Sequence, residues 1–222
     1  MKKALYTINF GKYNPLREPL IVTEGWDYIC FTDQDLKSDL FQIRKIETPL
    51  SGHLAARDYY INSQRHLPEY DLTVMIGGQL QVNCNLDELL LEYCDLGADF
   101  IMMNHCRNCT YLEALENKKF FGDGGKRMIE KQMNKYANEG FPEEFGLFAH
   151  GVIVRLKGEN IAKHEALWWQ EVSNPEYVTR DQLSFMYILW KHRLVKVNSF
   201  GDYWKIIHSL FKIYKHGNWK QI

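Results

Sequence analysis

The chain has 222 residues, of which 45% are apolar and 25% charged, and its 27 Lys and Arg against 28 Asp and Glu leave a net charge of −1. This is an ordinary globular mix with enough chain for one good-sized domain, and it excludes the broad basic face that neutralises nucleic-acid phosphates. No apolar run reaches the ~18 residues of a membrane span, the first ten residues turn polar too early for a secretory leader, and five cysteines are too few for a disulfide framework, so a cytoplasmic protein is expected.

Short strand-like runs alternate with helical stretches, the pattern of an α/β layer fold. Residues 3–10 read as a first strand ended by Gly11, residues 27–31 as a second ended at Thr32-Asp33, and residues 41–46 as a third. Residues 53–67 read as one helix stopped by Pro68. Residues 72–76 form a buried strand, Gly77-Gly78 a turn, and residues 79–82 resume extended structure. A short helix over 86–94 has Asn85 as its N-cap, followed by a strand over 99–103 and a helix over 111–118. Residues 121–125, with three glycines, read as a loop before a polar helix over 126–138 that ends at Gly140. A strand over 147–156, helices over 160–172 and 180–192, and a short strand over 195–197 follow. The closing helix spans 203–214, with Trp204, Ile207, Leu210, Phe211 and Tyr214 on one apolar stripe.

In open α/β sheets, ligands sit beyond the carboxyl ends of the strands. Those ends carry Asn9-Phe10-Gly11, Phe31-Thr32-Asp33, Ile76-Gly77-Gly78-Gln79 and Asn104-His105-Cys106-Arg107, which together read as one site, although each alone also makes a turn. The Gly-x-Gly-x-x-Gly and Walker phosphate loops and a serine nucleophile elbow are missing. Cys106-Arg107-Asn108-Cys109 stands between a strand and a helix, as thiol redox pairs do, and a redox protein built on Cys106 and Cys109 is one rival reading; no second cysteine pair completes a zinc site. His150, in Ala149-His150-Gly151, is open to a site role, with a satisfied core histidine as the commoner reading.

The strongest constellation is spread along the chain: Tyr6-Thr7-Ile8-Asn9-Phe10-Gly11-Lys12-Tyr13, then Arg17-Glu18-Pro19, Trp26 to Asp33, Ala56-Arg57, His105-Cys106-Arg107-Asn108 with Tyr111 and Glu113, and Thr179-Arg180-Asp181-Gln182-Leu183-Ser184-Phe185. In this order, over residues 4–195, the pieces resemble the GT-A nucleotide-sugar glycosyltransferases, in particular a glycosyltransferase-like branch that includes plant mucilage and pollen-tube proteins. The resemblance implies a single GT-A-like (Rossmann-like) α/β domain over 1–200, with a mixed central sheet flanked by helices. Residues 201–222 then form a basic amphipathic helix and tail packed on it. It implies transfer of a sugar from a nucleotide diphosphate-sugar, a uridine one by analogy, to a hydroxyl on a glycan or protein. A catalytically impaired nucleotide-sugar or glycan binder of the same fold is the other alternative.

Under that resemblance, Thr7, Asn9 and Tyr13 suit base and ribose, Asp33 a ribose hydroxyl or base N–H, and Arg57 the phosphates, with a surface ion pair to Asp58 or a nearby Glu as its plain alternative. Arg17, Gly77, Gly78, Gln79 and Gln182 join the donor-binding set. Asp181 is a helix cap, a general base, or a partner of the donor sugar's hydroxyls, and Arg180 anchors it or faces phosphate. His105 is assigned to the catalytic group, and Arg107 and Glu113 line the sugar or acceptor pocket with it. Such enzymes usually hold Mn²⁺ or Mg²⁺ on an Asp-x-Asp motif after the middle strand, but here that segment reads Val74-Met75-Ile76-Gly77-Gly78-Gln79, without a carboxylate. The acid-free tail, with Lys205, Lys212, Lys215 and Lys220, offers cationic help instead. His216-Gly217-Asn218-Trp219 resembles the His-x-Gly segment that folds over the diphosphate in glycogenin-like enzymes. The same helix could equally rest on a membrane surface or a partner.

Overall fold

A computed structural model describes residues 1–95 and 97–215. Seven strands form one mixed sheet in the order β3-β2-β1-β4-β7-β6-β8. They are β1 (Lys3–Asn9), β2 (Trp26–Thr32), β3 (Gln42–Lys45), β4 (Leu72–Ile76), β6 (Phe100–Asn104), β7 (Phe148–Leu156) and β8 (Val197–Asp202). All neighbouring pairs run parallel except those of β7, which is antiparallel to β4 and β6. The order 3-2-1-4 is that of a doubly wound nucleotide-binding half, so the chain has the expected Rossmann-like α/β architecture with a mixed sheet.

The sheet is buried on both faces because its strands alternate two apolar sets. Ala4, Tyr6, Met75, Phe100, Met102 and Ile153 point to one core, which they share with Tyr60, Trp168 and Phe185. Leu5, Val74, Ile76, Ile101, Met103 and Val154 point to the other, with Leu86, Leu89, Ile207 and Phe211. The first core lies under α1 (Gly52–Ile61), α4 (Thr110–Lys118), α5 (Asp123–Asn138), α6 (Glu159–Val172) and α7 (Asp181–His192); the second lies under α3 (Leu86–Tyr93) and α8 (Tyr203–Leu210).

Four element readings change. The helix expected over 53–67 breaks at Asn62 into α1 and a single turn, α2 (Ser63–His66). Asn62 caps α1 with its backbone amide on the Asp58 carbonyl at 2.9 Å and its side-chain amide on Asp58 Oδ1 at 2.6 Å, and its backbone leaves helical geometry at φ −89°, ψ 55°. The glycines of the expected 121–125 loop fall largely inside the first turn of α5. The last sheet strand is β8, displaced from 195–197 to Val197–Asp202. The closing helix stops at Leu210, and β9 (Phe211–Ile213) pairs antiparallel with β5 (Leu80–Val82) in a small second sheet. The predicted stripe is therefore divided: Ile207 and Phe211 are buried, whereas Trp204 is 52% exposed. No described helix is long and apolar enough to cross a membrane.

Beneath the sheet's helix-rich face lies a polar network that no local motif announces. Arg155 on β7 is fully buried; its Nη1 donates to Tyr6 Oη at 2.7 Å, its Nη2 to the Tyr60 carbonyl at 3.0 Å, and its Nε faces Glu165 Oε1 at 3.3 Å. Glu165 on α6 accepts from Ser63 Oγ at 2.6 Å and the Gln64 amide at 3.0 Å. Helices α1, α2 and α6 are thereby tied to β1 and β7.

Candidate functional site

The carboxyl ends of β1, β2, β4 and β6 lie along one edge of the sheet, and the amino end of antiparallel β7 meets them there through the pairs Ile76↔Val152 and Asn104↔Phe148. At this edge β1 turns through two left-handed residues, Gly11 (φ 68°) and Lys12 (φ 57°). The turn is held by Asp33, whose carboxylate oxygens accept the Gly11 amide at 3.0 and 3.1 Å. Gly11, Lys12, Asp33, Gln34, Asp35 and Leu36 line a cleft of about 540 Å³. Next along the chain, Tyr13 has its phenol pKa raised by burial, an effect that the nearby Arg180 and Arg57 oppose. It thus stands between this cleft and a cluster of charged groups.

That cluster converges from four elements. Arg57 on α1 puts Nε 3.2 Å from Oδ1 of Asp181, the first residue of α7, and His150 on β7 puts Nδ1 2.6 Å from Oδ2. Arg180 approaches Glu113 of α4 at 3.9 Å, and Arg107 holds the same carboxylate at 2.5 Å. His105 Nε2 lies 4.0 Å from Glu113 Oε2, while its Nδ1 accepts the Arg107 amide at 3.1 Å. His53 on α1 reaches the Thr179 carbonyl at 3.2 Å, which ties the helix bearing Arg57 to the loop bearing Arg180.

The electrostatics follow from burial and partners. Asp181 is only 4% exposed, which by itself would raise its pKa, but Arg57, the His150 hydrogen bond and Arg180 overcome that and hold it far below the usual carboxylate range. Burial lowers the His150 pKa, Asp181 opposes, and Arg57 and Arg155 add to the lowering, so the ring is neutral at pH 7. An ionised carboxylate only accepts, so the proton sits on Nδ1 and Nε2 carries the lone pair. Burial also lowers His105, against Glu113. Desolvation is the main effect on Arg180, whose Nε, like Nε2 of His150, is enclosed without a hydrogen-bond partner among the described residues.

His150 reaches Asp181 because β7 is irregular there. Between Met102 and Met103 of β6 the register jumps from Ile153 to Ala149, so the stretch holding His150 bulges away from β6 while the Gly77 amide still bonds the Gly151 carbonyl at 2.8 Å. Bulges re-aim side chains beside active sites. Tyr60 Oη donates to the His150 carbonyl at 2.9 Å and Trp168 Nε1 to the Asp181 carbonyl at 2.9 Å, which fixes both backbones.

The remaining predicted residues mostly shape the edge. Thr7 donates to the Ile76 carbonyl at 3.0 Å, Asn9 accepts from Thr32 and Gln34, and the Gln182 amide donates to the Phe148 carbonyl at 2.8 Å. Gly77 leaves room for the Gln79 side chain, since a Cβ there would stand 2.6 Å from Gln79 Oε1. Arg17 donates to the Gly78 carbonyl at 2.7 Å and covers the Tyr214 ring. The surface pair suggested for Arg57 does not form: Asp58 is engaged by Arg65, His66 and Asn62. Cys106 is exposed, Cys109 buried, and both are free thiols. His216 and the rest of its motif lie outside the described residues.

A family model described as TOD1/MUCI70, glycosyltransferase-like domain, matches residues 61–216. The chain belongs to the TOD1/MUCI70 family. Its glycosyltransferase-like domain takes in the edge from Gly77 through His105, Arg107 and Glu113 to His150, Arg180 and Asp181, whereas Thr7, Asn9, Tyr13, Arg17, Asp33 and Arg57 precede the TOD1/MUCI70 match. No curated protein matches the chain.

Proposed function

We propose that this TOD1/MUCI70 protein transfers a sugar from a nucleoside diphosphate-sugar, a uridine one by resemblance, to a hydroxyl of a glycan or protein. The supporting observation is the convergence of three guanidiniums, Arg57, Arg180 and Arg107, on the two buried carboxylates of Asp181 and Glu113, beside the cleft at the ends of β1 and β2. The terminal nitrogens of Arg57 donate no hydrogen bond to any described residue and those of Arg180 none either, so their donors remain for oxyanions. Guanidiniums bind phosphate in a two-pronged geometry and stabilise the charge that grows on a departing diphosphate. In this reading the nucleoside occupies the cleft by Asp33, Tyr13 bridges, and the diphosphate lies on Arg57 and Arg180.

The residues after β4 do not suit a hard divalent cation. Gly77, Gly78 and Gln79 bring no carboxylate, the Gln79 side chain folds back over Gly77, and no group of three metal-ligating side chains stands among the described residues. The arginines therefore carry the leaving-group charge in this mechanism. Calorimetric titration with UDP and GDP, with and without Mn²⁺, tests the reading: UDP binding that needs no metal and is lost in Arg57→Ala/Arg180→Ala supports it, and binding unaffected by that double variant overturns it. UDP binding without sugar transfer identifies the nucleotide-sugar-binding alternative, which the missing carboxylate favours.

A further inference from the structure

We infer that His150 is the catalytic base of the transfer, taking the proton of the acceptor hydroxyl at Nε2 while Asp181 holds its ring from the other side. This rests on the function proposed above and assigns the step that function leaves open. The obvious candidate, Asp181, is badly placed for the work, because one oxygen faces Arg57 and the other accepts from His150. A carboxylate so engaged is a poor proton acceptor but a good orienting group, the role of the acid in a nucleophile–base–acid triad.

His150 has the complementary features. Nδ1 is fixed by the 2.6 Å bond to Asp181, which leaves the lone pair on Nε2. The ring is clamped edge-on by Trp168 and Phe185, at centroid distances of 5.4 Å each, and stacked on Tyr60 at 6.3 Å, so it cannot swing. Nε2 is nevertheless buried with no hydrogen-bond partner among the described residues. An orphaned acceptor is costly, and in the working complex the acceptor hydroxyl supplies the missing donor. Neutral imidazole is the commonest general base, and a neighbouring ionised carboxylate stabilises the imidazolium it becomes.

The step balances as a single displacement. The hydroxyl proton passes to Nε2 while the oxygen's electron pair forms the new bond to the anomeric carbon. The bond from that carbon to the diphosphate oxygen breaks, and its electrons leave with the nucleoside diphosphate, toward Arg57 and Arg180. The imidazolium then returns its proton to solvent. Attack opposite the leaving group inverts the anomeric configuration. The charged and titratable groups around the ring are Asp181 from α7, Arg57 and Tyr60 from α1, Arg155 from β7 and His105 beyond β6.

The test measures UDP affinity by calorimetry and UDP release from UDP-glucose, UDP-galactose and UDP-xylose in water. His150→Gln is expected to keep UDP affinity within about threefold but to lose roughly 10²–10⁴-fold in release rate. In the wild type, release rises with pH through an acid limb below about 6.5 and then levels, since the base must be unprotonated; the variant lacks that limb. Imidazole added to His150→Ala restores part of the rate. Should both variants misfold, long-range ¹⁵N NMR of the wild type decides: the Nδ1–H tautomer supports the assignment and the Nε2–H tautomer overturns it. Unchanged release and an unchanged limb in His150→Gln overturn it too, as does a wild type that binds UDP and releases none from any sugar, which leaves the binding site standing. A wild type that does not bind UDP removes the proposed function and the base together.

Discussion

Two arginine–carboxylate constellations lie within one molecule, joined through Tyr60, and they are built to opposite ends. In the core, Arg155 is fully buried, with Tyr6 and the Tyr60 carbonyl taking its terminal donors and Glu165 beside its Nε. At the strand ends, the side chains of Arg57 and Arg180 are 22% and 29% exposed, and each meets a carboxylate through one edge only. The first arrangement engages both terminal nitrogens of its arginine, leaves only Nε in ion-pair contact without a hydrogen bond, and braces the fold. The second keeps donors open at the surface, with a histidine acceptor beside them that no described residue matches. Tyr60 transmits the bracing: its carbonyl belongs to the core network, and its hydroxyl holds the backbone of His150.

Substituting the two arginines should separate bracing from binding. Arg155→Met leaves Glu165 buried beside no cation and is expected to cost about 3–5 kcal/mol of stability by denaturant unfolding; a loss under about 1 kcal/mol would mean that the network does not brace the sheet. Arg57→Lys keeps the charge beside Asp181 but not the planar fork. Folding stability should stay within about 1 kcal/mol of the wild type, while UDP affinity falls about 10–100-fold, the equivalent of a charge-assisted hydrogen bond of about 1.5–3 kcal/mol.

Acid titration sharpens the same contrast. The folded pKa of Asp181 is depressed, so its stabilisation is present above the unfolded value of about 3.9 and is lost as the pH falls below it. Burial pushes Glu165 up, against the pull of Arg155, so its contribution runs the other way and is lost as the pH rises above the unfolded value near ~4.3. Stability–pH curves of Asp181→Asn and Glu165→Gln should therefore depart from the wild type with opposite slopes, and slopes of the same sign would contradict the assignment of the two carboxylates. The smallest effect is expected for Cys106→Ser, an exposed free thiol: stability within about 0.5 kcal/mol and unaltered UDP affinity. A large loss of activity there would revive the thiol reading.

Much of the fold was legible because period-two alternation and buried runs mark β1, β2, β4 and β6 directly, and Asn85 caps α3 as its sequence position suggests. The breaks at Asn62 and Phe211 were hidden for different reasons. The first turns on a change of backbone geometry at Asn62 that apolar periodicity does not record, the second on the edge of β5, a partner distant in sequence. The order of motifs put Arg57 and Asp181 in one expected site, but their direct pairing was not legible, since the two are far apart in sequence. His150 was left outside the expected site because its partner lies on another element, 31 residues away. The available signal was a histidine followed by glycine interrupting an otherwise apolar strand, the mark of a bulge.

The pairing of β9 with β5 has a practical consequence for truncation. Tyr214 donates its amide to the Gln79 carbonyl at 2.9 Å and its hydroxyl to Gln81 at 2.7 Å, so this segment seals the free side of a three-residue strand. A chain cut after Leu210 would present that strand's unpaired amides and carbonyls, together with Val82 and Leu80 stripped of their cover, as a template for a neighbouring molecule. Shortened versions should thus be sought in the aggregate and the exchanged dimer before they are blamed for weak catalysis.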